Sequence, residues 1–461
     1  MTIEQLYDIY LRHPSVRTDT RELQKGDLFF ALKGPNFNGN AYAARALELG
    51  AAYVVVDEVP EGLEAPEGLL TDSVMPPYSS DRVVVVPDVL GALQELALYH
   101  RRRFAIPFIA ITGSNGKTTT KELIHAVLAS TFTTYTTKGN LNNHIGIPLT
   151  LLSVRADAQF AVIEMGANHQ KEIEGYCRYA LPTHGIITNV GKAHLEGFGG
   201  PEGVKKGKGE LYDFLRGTDG AAFVLQDSED LRQMSHGIPH VVTYGTRDAD
   251  VVGDVRGAGG GEGAEDSAFL AVDITHGAAT GTIHTQLVGD YNLPNVLVAV
   301  AVGKYFGVAD DAIRRAIEEY APSNSRSQMM ERDGNHIILD AYNANPSSMR
   351  AAIENFARLT VAAPGEVAGS SGFDQKVLIL GAMAELGPES LNEHRGIVEL
   401  IARYPWRQVV LVGGDFLRIE HPWVSFVDSR AAAEWFRGAG LKGVYLLVKG
   451  SRSMKMEEVV G

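Results

Sequence analysis

FAIPFIAITGSNGKTTTKELIHAVLAS (residues 104–130) begins as strand, turns through a glycine loop and continues as helix. Ile109, Ala110 and Ile111 close a continuous apolar run, the mark of a strand covered on both faces of its sheet. From Lys117 the apolar positions take helical spacing. Between the two, Gly113 and Gly116 let the backbone curl, so that N–H groups converge on an anion at the helix start, where the helix dipole adds positive potential. Lys117 is placed to reach the β- and γ-phosphates of a nucleotide, and Thr118 to offer its hydroxyl to Mg2+. The loop is shorter than the strict GxxxxGK pattern, because Ile111 stands where the first glycine would be. An ordinary glycine turn is the competing reading, and the strand–loop–helix context argues against it.

The same alternation extends outward. FAVIEMG (160–166), HGIITNV (184–190), GAAFVLQ (220–226) and HVVTYG (240–245) are buried-strand candidates separated by helices. The pattern predicts an α/β fold with a mostly parallel sheet covered on both faces. Upstream, LFFALKG (28–34) and AAYVVVD (51–57) predict short strands, and AYAARALELG (41–50) a helix ending on Gly50. The stretch 61–81 is rich in Pro, Gly and Ser and predicts a loop. RVVVVPD (82–88) predicts a strand, and DVLGALQELALYHRRR (88–103) a helix with Asp88 at its start. Downstream, HIILDAYNANP (336–346), KVLILGAMAELG (376–387), RQVVLVGG (407–414) and GVYLLVKGSRS (443–453) repeat the strand–helix alternation. The acidic, Gly-rich GDVRGAGGGEGAEDS (253–267) predicts a hairpin loop, and residues 364–372 a Gly/Ser loop. Three domains follow: 1–81, 82–320 and 321–461. At roughly 150 residues per domain, three is also what the length suggests.

Composition narrows the function classes. The 461 residues carry 42 Lys+Arg against 56 Asp+Glu, a net charge of −14. Such a surface disfavours non-specific binding to nucleic acid or anionic membranes, while leaving local loops free to hold phosphorylated small molecules. Cys177 is the only cysteine, so no intrachain disulfide can form, which fits a reducing compartment. It lies in the helix-like EIEGYCRYA as a small packing residue. The N-terminal MTIEQLYDIYLRHPSVRTDTREL lacks the basic start and apolar core of a signal peptide. No stretch approaches the roughly 18 apolar residues of a membrane span. A cytoplasmic protein is expected.

Other candidate site residues sit at strand ends, where ligands bind in open α/β sheets. Glu164 ends FAVIEMG and His194 follows HGIITNV; a hard oxygen-rich set suits Mg2+. GVKKGKGELYDF (203–214) supplies Lys205, Lys206 and Lys208, readable as a solvated basic helix start or as phosphate attraction. Asp340 can accept hydrogen bonds from ribose hydroxyls. Asn343 and Asn345 are turn-formers first and binding residues second. Lys449 and Arg452 can hold an anion such as a peptide carboxylate.

Taken in order, these segments resemble the Mur ligase family over nearly the whole chain. DTRELQKGDLFFALKGPNFNG (19–39), TGSNGKTTTKE (112–122), GNLNNHIGIPLTLL (139–152), VIEMGANHQKEI (162–173) and ITNVGKAHLEGFG (187–199) carry the likeness. So do KGKGEL (206–211), GDYNLPNVLVA (289–299), DAYNANPSSM (340–349), GAMAELG (381–387) and VKGSR (448–452). The resemblance implies a UDP-MurNAc-peptide-binding domain, a P-loop-like ATPase domain and a Rossmann-like domain for the incoming amine. The motif DxYNANPxSM and the following ELG point to the member that joins D-alanyl-D-alanine to UDP-MurNAc-tripeptide in peptidoglycan synthesis, the third peptide residue being diaminopimelate or lysine. A sister ligase, adding a diamino acid to the muramoyl dipeptide or glutamate to folate, is the alternative. A non-catalytic nucleotide switch is another, and it would bind ATP without substrate-dependent release of ADP.

The resemblance also assigns roles. Gly113, Ser114, Asn115, Gly116, Lys117, Thr118 and Thr119 would hold the phosphates of ATP. Thr118 and Glu164 would bind one Mg2+, and His194 would help bind a second. Lys208 matches the family's carbamylated lysine, a carboxylate on a long arm. Asn295 would contact adenine, Asp340 ribose and Arg326 phosphate. Thr20 and Arg21 would meet the uridine diphosphate. Asn142, Asn143, Asn343, Asn345, Lys449 and Arg452 would face the remaining substrate. Catalysis would fall to Lys117, Lys208, His194 and Glu164, in a chain expected to be monomeric. The sequence departs from the family pattern at Ser325, where Gly is usual, at Tyr291, where His is usual, and at Gln226, where Asn is usual.

Overall fold

Every position of the strand Phe108–Thr112 is buried, as its unbroken apolar run demands. In this computed structural model, residues 1–59, 80–256, 268–323, 325–359 and 372–461 are described. The expected loops at 61–81, 253–267 and 364–372 fall largely outside them.

Phe108–Thr112 belongs to a nine-stranded sheet, and the central helices Lys117–Ala129 and Leu293–Tyr305 pack on one another. Leu293–Tyr305 is apolar nearly all round and buried from Leu293 to Gly303 except at Pro294, as befits a helix inside a core. Contacts divide the chain into two units. One comprises Met1–Ala110, Thr133–Gly166 and Glu172–His184; the other comprises Ile111–Phe132, Ala167–Lys171 and Gly185–Gly461. Strands Phe108–Thr112 and His184–Ile187 pass from the first into the second.

In the first unit, Val16–Arg17, Leu28–Phe30, Tyr53–Val56 and Val83–Val85 form a four-stranded parallel sheet. Phe29, Val54 and Val56 pack there on Ala43, Ala46 and Leu47 of the helix Ala43–Glu48. The expected strand LFFALKG is shorter than its apolar run. It stops at Phe30, and Lys33–Gly34 pairs instead with Phe37–Asn38. The expected helix ends before Gly50, which takes φ +101°. The N-terminus, read only as polar, is the helix Ile3–Arg12. Its signal is a capping box, Thr2 with Gln5. Asp88 caps Val89–Arg101 as expected, accepting from the amides of Leu90 and Gly91. Cys177 is buried in the helix Glu172–Ala180.

In the second unit, Ala221–Leu225, His240–Gly245 and Val251–Val255 run parallel, while Phe269–His276 and Thr282–Val288 add antiparallel strands at the sheet's edge. A second sheet follows in the order Gln328–Arg332, Asn335–Asp340, Tyr445–Lys449, Lys376–Gly381, Gln408–Val412 and Val424–Phe426. It is parallel except for its first strand. Asp340 and Lys449 stand opposite each other at the carboxyl ends of adjacent strands. Among the described residues no helix is long and apolar enough to cross a membrane.

Candidate functional site

The loop after Phe108–Thr112 is a backbone device. Gly113 sits at φ +139°, and a Cβ there would lie 2.0 Å from the Thr188 hydroxyl, so only glycine fits. Gly116, at φ +79°, is the N-cap of Lys117–Ala129, and no side chain caps that helix. A helix start without a side-chain cap presents the positive end of its dipole, the arrangement an anion needs. Lys117 lies back over the loop, with Nζ donating to the Gly113 carbonyl at 2.7 Å.

The segment after His184–Ile187 holds the loop from beneath. Thr188 donates through its hydroxyl to the Asn115 carbonyl at 2.6 Å. The Asn189 carbonyl accepts from the Ser114 amide at 3.0 Å, and its side-chain oxygen accepts from the Asn115 amide at 3.0 Å. The Ser114 hydroxyl donates to the Gly191 carbonyl at 2.8 Å. Asn295 is buried against Gly116, accepts from the Thr120 hydroxyl at 3.0 Å and donates to Asn292 at 2.9 Å. Sequence reasoning singled out Asn295 but missed Thr188 and Asn189. Their signal was present: polar residues directly after a buried strand.

His194 and Lys208 belong to the same unit as the loop. His194 adopts φ +52° at the head of the short helix Leu195–Phe198, and its Nδ1 pairs with a Glu385 oxygen. Lys208 lies within Pro201–Gly217, and its side chain is wholly buried. Its Nζ donates to the Ala167 carbonyl at 3.1 Å and stands 4.8 Å from the Phe198 ring centroid. Glycines set this helix so close. A Cβ at Gly203 would lie 1.8 Å from the Phe198 carbonyl, and one at Gly207 would lie 2.4 Å from the Phe198 ring. Lys205, by contrast, is paired with Asp230 at 2.5 Å.

The second sheet brings several expected residues together, though largely onto one another. Lys449 pairs with Asp340 at 2.5 Å and donates to the Asn343 carbonyl at 3.2 Å. Arg326 stacks over Tyr342 with its guanidinium carbon 3.6 Å from the ring centroid. Arg452 pairs with Glu457 at 2.7 Å. The Asn343 side chain accepts from the Ala344 amide at 2.9 Å, the turn role foreseen for it. Asn345 caps the helix Pro346–Arg358 and donates to the Asn115 side chain at 2.7 Å, tying this sheet to the glycine loop. Ser325, where glycine is usual, takes φ +55°. Tyr291 bonds Ser327 at 2.9 Å, and burial pushes its phenol above the usual range.

In the other unit, Glu164 ends Phe160–Glu164, is buried, and accepts from the Asn142 amide group at 2.7 Å. The Asn143 side chain accepts from the amides of Ile145 and Gly146 at 3.1 and 2.9 Å. Arg21 is exposed and paired with Asp19 at 2.5 Å, beside Thr20.

Models of known families cover most of the chain. The Mur ligase family catalytic domain matches residues 14–101, the Mur ligase middle domain 111–303, and the Mur ligase glutamate ligase domain 325–452. Relatives include the UDP-N-acetylmuramoyl-tripeptide–D-alanyl-D-alanine ligase of Bacillus subtilis, 33% identical across 96% of this chain and 92% of that protein. The ligase of the same name from Escherichia coli is 32% identical across 100% of this chain and 97% of its own. Among solved structures, MurF from Acinetobacter baumannii superposes with a TM-score of 0.81 at 27% identity, covering 99% of this chain and 97% of that one. MurF ligase from Thermotoga maritima, in complex with ADP, gives 0.78 at 25% identity, covering 97% and 96%.

Proposed function

The chain belongs to the Mur ligase family, and from that premise we propose that it is the ATP-dependent ligase that adds D-alanyl-D-alanine to UDP-N-acetylmuramoyl-tripeptide in peptidoglycan synthesis. The observation that carries the chemistry is the uncapped start of Lys117–Ala129, with Lys117 poised beside it. The relatives' names supply the substrates. In this reading residues 1–81 bind the UDP-MurNAc-peptide, 82–320 bind ATP, and 321–461 bind D-Ala-D-Ala. The chain acts as a monomer in the cytoplasm.

A carboxylate is a poor acyl donor. The γ-phosphoryl group of ATP passes to the terminal carboxylate of the tripeptide, giving an acyl phosphate and ADP. The amine of D-Ala-D-Ala attacks its carbonyl, and phosphate leaves from the tetrahedral intermediate. The amides of residues 113–119 and the Lys117 ammonium offset the charge gathered where carboxylate meets phosphate. Thr20 and Arg21 hold the uridine diphosphate. Asn142, Asn143, Asn343, Asn345, Lys449 and Arg452 shape the peptide and amine sites, while Asn295, Asp340 and Arg326 serve the nucleotide.

Among the described residues no group of three or more His, Cys, Asp or Glu is arranged to hold a metal. The Thr118 hydroxyl and Glu164 carboxylate fit a hard cation, and His194 supplies an imidazole. Lys208 fits only once its neutral amine has added CO2 and lost a proton, which turns it into a carbamate. Bound Mg2+ would supply charge neutralisation at the transferring phosphoryl group. Lys208→Ala should be inactive and partly rescued by a short carboxylic acid; full activity without rescue would remove Lys208 from the metal site.

The deciding experiment measures phosphate release with ATP, Mg2+, UDP-MurNAc-tripeptide and D-Ala-D-Ala, omitting each in turn. A requirement for all four, with UDP-MurNAc-pentapeptide formed, supports the reading. Release with a different amine or acceptor instead would keep the ligase chemistry and overturn the substrates.

A further inference from the structure

We propose that Glu385 is a positioning residue for His194, holding its imidazole as the Nδ1–H tautomer so that Nε2 is left as the metal-binding nitrogen. The inference rests on the reading of His194 as a metal ligand and goes beyond it, because the positioning group comes from the second sheet.

Four observations carry it. The Glu385 carboxylate accepts from His194 Nδ1. Both residues hold left-handed backbone without being glycine, His194 at φ +52° and Glu385 at φ +61°. Such conformations cost free energy and persist where surrounding structure imposes them. The backbones are docked as well, since the Glu385 carbonyl accepts from the Glu196 amide at 3.4 Å. Gly387, at φ +55°, leaves room for the Glu196 side chain, whose Cβ would lie 3.2 Å from a Cβ placed there. The Glu385 side chain is 53% exposed, so the pair contributes little to stability as an ion pair. What it can fix is orientation. A carboxylate behind a ligand histidine selects the tautomer and aims the ring.

Glu385 lies in GAMAELG, between Lys376–Gly381 and the helix Ser390–Ile401, in the segment after residue 320. The inferred metal ligand is thus completed by a loop of the sheet assigned to the incoming amine.

The test compares full-length wild type, Glu385→Gln, His194→Gln and the double variant, each with ADP. Mn2+ affinity is read by electron paramagnetic resonance and the His194 tautomer by nitrogen-15 NMR. Glu385→Gln should weaken Mn2+ binding about 10- to 100-fold. It should also introduce the Nε2–H tautomer at His194, with the thermal midpoint unchanged. In the His194→Gln background the second substitution should add nothing, because its effect passes through the imidazole. Unchanged Mn2+ affinity and tautomer in Glu385→Gln, alongside weakened binding in His194→Gln, would overturn the positioning role alone. Unchanged Mn2+ affinity in His194→Gln would overturn the metal role of His194 and this proposal with it.

Discussion

Two helices in the second unit start the same way on paper and differently in space. Lys117–Ala129 and Pro346–Arg358 each follow a buried strand through a short polar loop. The first begins on Gly116, at φ +79°, with no side-chain cap. The second begins on Asn345, whose side chain accepts from the Ser348 amide while Ser348 answers in a capping box. One helix starts without a side-chain cap; the other caps itself. A helix N-terminus is open to an anion only where no side chain caps it. The closed turn has another use, because Asn345 also donates to Asn115 in the open one.

The sharpest way to break this contrast is to remove the charge beside the open turn. Lys117→Ala should lower turnover about 1000-fold, on the scale of losing one preorganised donor to developing charge. Affinity for the UDP-substrate should stay nearly intact by calorimetry. Loss of that affinity would mean the open turn does not serve a separate nucleotide site. Gly113→Ala comes next. Its Cβ would lie 2.0 Å from the Thr188 hydroxyl at φ +139°, so the loop must move. A loss of about 3 kcal/mol in urea unfolding is expected, with weaker ADP binding. An unchanged midpoint would show that the turn is not held by this close approach.

The closed turn should be less sensitive. Asn345→Ala removes the cap and should cost about 1 kcal/mol. Asn345→Asp keeps the cap and loses the donation to Asn115. It should spare stability and weaken ADP binding by about fivefold, the worth of one hydrogen bond. Equal ADP affinities in wild type and Asn345→Asp would uncouple the two turns.

The smallest effect concerns a third turn, after Lys376–Gly381, where the cap is an imidazole. His394 Nε2 accepts from the Met383 amide at 3.0 Å, and Nδ1 donates to the Ser390 carbonyl at 2.7 Å. Burial lowers the pKa of His394 against the raising fields of Asp415 and Glu393. The unfolded chain then binds the proton first, so this stability is complete above the unfolded value of about 6.5 and is lost as pH falls below it. Urea midpoints of wild type should drop more steeply between pH 7.5 and pH 5.5 than those of His394→Gln. Parallel slopes would remove His394 as the titrating group.

These turns also mark how far sequence reasoning reached. The open loop was legible because Gly113, Gly116 and Lys117 act through backbone freedom and local order, which sequence spacing encodes. The resemblance rested on motifs of the same local kind. Thr188, Asn189 and Glu385 were not singled out. Each acts on residues more than seventy positions away, and no spacing rule joins Glu385 to His194. Lys449 and Arg452, expected on local grounds to be anion sites, are paired with Asp340 and Glu457.

The sequence by itself determined the strand, glycine loop and helix at residues 108–129, the mostly parallel α/β alternation, and the family through its ordered motifs. These follow from apolar periodicity and from where glycine is placed. Only the tertiary structure decided which partner each charge meets. Lys117, Lys208 and Lys449 are the same residue type, yet their amines meet the Gly113 carbonyl, the Ala167 carbonyl and the Asp340 carboxylate. The physical reason is that a side chain's partner is set by which strands and helices pack together, and packing joins residues that the chain keeps far apart.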